Sequence, residues 1–79
     1  MSILISILDF PININDLIKW ETKFGAAKCC YCNENINLVG RHIKKLMFDQ
    51  NNIYIIPLCE SHKNELNGGI YVNEKTNFF

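Results

Sequence analysis

Two short spacings constrain this chain more than anything else in it: two residues separate Cys29 from Cys32, and two separate Cys59 from His62. A two-residue spacer lets neighbouring side chains converge from one tight turn. Zinc takes four tetrahedral sulfur or nitrogen ligands, so two such pairs complete a closed site. The 26 residues between Cys32 and Cys59 are enough for a hairpin that returns the chain to the metal. The competing reading, that these are ordinary buried thiols, leaves the two matched spacings unexplained. The expected zinc ligands are therefore Cys29, Cys32, Cys59 and His62. Two substitutions stay open: Cys30 for Cys29, which leaves a one-residue spacer, and His42 for His62.

A chain of 79 residues has reason to carry such a staple. In domains below roughly 70–80 residues the core rarely supplies more than about 3–5 kcal/mol. Zinc binding, of order 10–16 kcal/mol in small zinc peptides, becomes folding free energy when the unfolded chain has no site. No proline-rich linker, repeat or low-complexity tract divides the sequence, so residues 1–79 are expected to form one zinc-stabilised domain.

The apolar run Ile3, Leu4, Ile5, Ile7, Leu8 suits a strand that Pro11 ends. "NINDLIKWETKFG" predicts an amphipathic helix, with Asn13 or Asn15 as N-cap and Asp16 in the first turn. Its apolar positions are Ile14, Leu17, Ile18 and Phe24, and Gly25 stops it. "INLV" (36–39) and "IYIIP" (53–57) read as strands that could pair as a hairpin, with a turn at 49–52. "CESHKNELNGG" predicts a short helix from Glu60 to Leu66, and "GIYVNEKTNFF" a last strand with Phe78 and Phe79 packed in the core. A ligand pair on a turn, a hairpin and a second pair at a helix N-terminus is the order of a treble-clef zinc finger. The expected class is thus α+β: a small treble clef (zinc knuckle, β-hairpin, short helix) preceded by a strand and a helix.

Eight Lys and Arg balance eight Asp and Glu, so net charge gives no long-range attraction to nucleic acid or an anionic membrane. A basic footprint has to be local. Lys28, Arg41, Lys44 and Lys45 fall around the knuckle and hairpin, Lys63 follows the last ligand, and Glu34 opposes them. The N-terminal "MSILISILDFPI" lacks a basic flank and a small-residue cleavage site, and its apolar run is far short of about 20 residues. No membrane association is expected. Cysteines at ligand spacing without a secretory signal predict a reducing, cytoplasmic setting.

Three segments, "CCYC" (29–32), "GRHI" (40–43) and "YIIPLCESHKN" (54–64), resemble the zinc-containing HNH, or ββα-metal, endonuclease family over roughly residues 28–66. That resemblance implies four structural zinc ligands and His42 as general base on the first hairpin strand. It also implies a separate catalytic metal, held by an acidic residue before that His and by an Asn or His after the last zinc ligand. Arg41 and Lys63 occupy those two positions here, and their positive charges oppose a divalent cation. Asn64, Asp49 or Glu60 could supply a ligand only by departing from the family pattern.

The leading expectation is an HNH-like zinc module that binds DNA or RNA without metal-dependent nuclease activity. The alternative is an active endonuclease using His42 with Mg2+ or Mn2+. A second alternative, from the resemblance and from apolar side chains such as Trp20, Tyr31, Met47, Phe48 and Tyr54, is a phage-like or mobile-element-like protein-binding accessory or inhibitor. A monomer or weak dimer is expected in each case.

Overall fold

The apolar run at the N-terminus forms β1 (Ser2–Ile7), and the segment after Pro11 leads into α1 (Ile14–Phe24). The structure is a computed structural model and describes residues 2–46, 51–61, 69–73 and 75–79. The turn expected at 49–52 lies partly outside these residues. So does the expected helix from His62 onward.

Three further strands follow: β2 (Leu38–Lys45), β3 (Tyr54–Cys59) and β4 (Ile70–Asn73). They form one antiparallel sheet with β1, in the order β3-β2-β1-β4. The architecture is therefore α+β, one helix on a four-stranded sheet. β1 lies centrally between β2 and β4, so a segment outside the resemblance joins the hairpin to the C-terminal strand.

Both hairpin strands start later and end further along the chain than expected. β2 continues through Gly40 to Lys45, a stretch whose glycine and basic residues read as a connection. Gly40 is there because α1 crosses it: a Cβ at this position would lie 2.8 Å from the Leu17 backbone nitrogen. β3 carries Pro57 in its interior, which is tolerated because β3 is an edge strand. Cys30 and Phe79 cover part of that edge. Cys30 N–H donates to Pro57 O at 3.0 Å, and Ile55 and Phe79 exchange two backbone hydrogen bonds of 3.1 Å.

Of the two candidate caps, Asn13 takes the role, its side chain accepting from Asn15 N–H at 2.9 Å. Gly25, at φ 100°, donates to Glu21 O at 2.8 Å and ends the helix. The buried stripe differs from the expected one. Asp16 and Trp20 are buried and Leu17 and Phe24 half-buried, whereas Ile14 and Ile18 are 75% and 52% exposed. Packing on Gly40 turns positions 16, 17, 20 and 24 toward the protein, at the expense of the more apolar row. Trp20 meets its polar requirement by donating Nε1–H to Asn77 O at 2.8 Å.

One face of the sheet carries the core. Ile5, Ile43, Ile56 and Leu58 are fully buried, with Ile70 and Val72 beside them. Phe78 packs against this cluster as expected, but Phe79 is largely exposed and is held through its backbone. Cys29 and Cys59 belong to the same buried cluster. The core thus runs without a break into the cysteine site.

Candidate metal centre

The loop before β2 is shaped by hydrogen bonds that aim its cysteines. Cys29 N–H donates to Glu34 O at 2.8 Å, and Asn33 N–H donates to Cys29 O at 2.8 Å. Asn33 takes φ 64° to close this turn, a left-handed conformation that asparagine accepts more readily than most residues. Cys32 N–H points at Cys29 Sγ, 3.5 Å away. Such N–H groups favour a sulfur that carries negative charge, as a metal-bound thiolate does.

Cys59 reaches the same point from the end of β3, opposite Leu38. Glu60 N–H donates to Asn37 O at 3.0 Å, tying the end of β3 to the start of β2. The Sγ atoms of Cys29, Cys32 and Cys59 all lie within 4.8 Å of one another. Cys32 and Cys59 sulfurs are 3.6 Å apart. A tetrahedral zinc with Zn–S bonds of about 2.3 Å separates its sulfurs by about 3.8 Å, so little movement is needed to seat an ion. None of the four cysteines is in a disulfide, and 3.6 Å far exceeds a disulfide bond of about 2.05 Å.

Burial pushes the Cys59 thiol up to about 11, helped by hydrogen bonds with Cys32 and Cys29, while a backbone hydrogen bond from Ile36 pulls the other way. The metal-free site therefore keeps the Cys59 proton at neutral pH, and a divalent cation has to displace it. Three sulfur donors meeting where two of them are buried suit zinc or another thiophilic ion. His62, the expected fourth ligand, lies outside the described residues.

Cys30 is not in this cluster. Its half-buried thiol is raised to about 12, by burial first and by the charge of Cys29 second, with a hydrogen bond to Thr76 opposing. Of these two cysteines, Cys29 is the one whose sulfur lies with those of Cys32 and Cys59.

His42 occupies a different corner, paired across the strands with Ile55. Its Nε2 lies 3.8 Å from Asp16 Oδ2, and its ring centroid is 5.0 Å from that of Phe10. Asp16 is buried, and its Oδ2 has no hydrogen-bond partner among the described residues. Sequence reasoning placed Asp16 only as a first-turn helix acid. No motif links it to His42, since the contact exists only because α1 crosses β2 at Gly40.

The expected basic residues do not form one surface. Arg41 is buried and lines a cavity of about 280 Å3 with Asp9, Phe10, Pro11 and Ile12. Lys44 and Lys45 are consecutive on β2 and so point to opposite faces. Lys45 Nζ sits 4.7 Å from the Tyr54 ring centroid and 4.3 Å from that of Phe78. Lys28 is exposed beside the knuckle, and Lys63 lies outside the described residues.

Comparisons with protein-family models, curated proteins and solved structures return no match for the chain. Among the described residues, no helix is long and apolar enough to cross a membrane.

Proposed function

We propose that this chain is a small zinc-stabilised binding module whose ligands are Cys29, Cys32, Cys59 and His62, and that it binds nucleic acid without cleaving it. The observation that carries the zinc reading is the convergence of three thiols from two separate segments to within 4.8 Å. The order of knuckle, β2–β3 hairpin and second ligand pair supports a treble-clef reading of residues 28–66, in keeping with the HNH-like resemblance. In this reading the ion is structural. It would join the knuckle to the end of β3 and supply no chemistry to a substrate.

Nucleic-acid binding draws on that resemblance and on the cations kept outside the core, Lys28 and Lys44. Arg41 sits where the family pattern asks for an acidic ligand, and its burial adds to the case against a catalytic divalent ion at that position. The test is paired: oligonucleotide binding at low salt, and plasmid nicking with added magnesium or manganese. Salt-sensitive binding with no nicking is the expected result. Nicking that disappears in His42→Ala would replace this reading with the nuclease one.

The nuclease reading is favoured by one observation, the Asp16 carboxylate 3.8 Å from His42. A carboxylate beside an imidazole is a common way to orient a general base. A nuclease built this way would lose activity in Asp16→Asn as well as in His42→Ala.

A further inference from the structure

A cleft of about 630 Å3 opens between the end of α1, the knuckle and β4 with the tail beyond it. It is more than twice the size of the Arg41 cavity and falls within the roughly 300–1,000 Å3 common for ligand sites. Trp20 is buried at its wall, fixed by the hydrogen bond to Asn77. Tyr31 and Tyr71 line it while 48% and 62% exposed.

Among the described residues lining the cleft, the charged ones are Lys28 and Lys75, and none is a carboxylate. In a chain of zero net charge, this is a local positive surplus. Lys75 is held in place by a turn: its N–H donates to Asn73 Oδ1 at 2.8 Å, and Thr76 N–H donates to Asn73 O at 2.9 Å.

Exposed aromatic faces beside cations, with no acid among the described lining residues, suit a ligand that is flat and aromatic in one part and anionic in the next. A single-stranded nucleic acid repeats that combination, and its unstacked bases are free to lie on tyrosine rings. A duplex keeps its bases stacked inside and offers only phosphates to such a cleft. We propose that this cleft binds single-stranded nucleic acid, with a base stacked on Tyr71 or Tyr31 and the adjoining phosphates against Lys28 and Lys75. The proposal rests on the nucleic-acid reading above and assigns it to a surface distinct from the β2–β3 hairpin.

The experiment is fluorescence anisotropy of a labelled oligothymidylate with the full-length, zinc-reconstituted chain at several salt concentrations. Tyr71→Ala is expected to weaken binding by about 5- to 150-fold, the range for losing one base–aromatic stack, while Tyr71→Phe keeps the ring and binds like the parent. Lys75→Ala should lower the slope of log affinity against log salt by about 0.7, one single-strand phosphate contact. Metal content and circular dichroism of each variant separate lost contacts from lost folding. Binding unaffected by Tyr71→Ala but weakened by Lys44→Ala would overturn the cleft assignment and leave the nucleic-acid reading standing. No oligonucleotide binding by the folded chain would overturn both. An acidic peptide competing as well as oligothymidylate would overturn the base-stacking assignment, and thymidine monophosphate binding as tightly as the strand would replace the strand with a free nucleotide.

Discussion

The cysteine corner and the His42 corner both bring together groups from distant parts of the chain, yet they differ in how far their chemistry is matched. At the first, three sulfurs converge, and backbone N–H groups of Cys32 and Ile36 point at two of them. At the second, His42 faces Asp16 at 3.8 Å and one carboxylate oxygen is buried without a hydrogen bond from any described residue. The first has the features of a site that an ion completes. The second is set by α1 crossing β2 at Gly40, and a buried carboxylate oxygen left unmet costs stability in a protein of this size.

The largest way to break the comparison is to remove a thiol from the first corner. Cys59→Ala leaves two of the three clustered sulfurs and should abolish metal retention, forfeiting a metal term of about 10–16 kcal/mol in comparable sites. Circular dichroism after purification would then show loss of cooperative unfolding. Gly40→Ala tests how the second corner is held. Its added methyl meets helix backbone at 2.8 Å, and overpacking of this kind usually costs about 1–3 kcal/mol, readable from the urea midpoint.

A smaller effect is expected between Asp16 and His42. A double-mutant cycle with alanine at each should give a coupling of about 0.5–3 kcal/mol if they interact, whereas independent residues give a value near zero. The effect of pH follows from Cys59. Its thiol is raised to about 11 in the metal-free fold, so metal uptake at neutral pH has to release that proton, and affinity rises with pH below that point. The smallest signal is chemical. With Cys30 raised to about 12 by burial and the three clustered thiols held by the ion, mass spectrometry of the zinc-loaded protein at neutral pH should find little alkylation, and alkylation of all four cysteines once chelator is added.

Much of this was legible in the sequence, for reasons that are local. Cysteine spacing depends on a single turn, so Cys29 and Cys32 could be paired without knowing the sheet, and Cys59 joined them through the expected hairpin. The Asn13 cap, the Gly25 stop and the β1 apolar run are likewise written within a few residues. Contacts set by one element crossing another were hidden. Gly40 reads as a break in a strand until α1 is laid over it, and the exposure of Ile14 and Ile18 follows from that crossing and not from the helical pattern. The central place of β1 in the sheet, and the meeting of Tyr71 and Lys75 with the knuckle, depend on pairing across most of the chain.

The central claim is that one metal ion closes the cysteine corner and holds the fold. Elemental analysis of the purified chain, followed by thermal unfolding before and after chelation, tests it most directly. About one zinc per chain is expected, with loss of the cooperative transition on chelation and its return when zinc is restored. A metal-free protein that melts unchanged in the presence of chelator would contradict it.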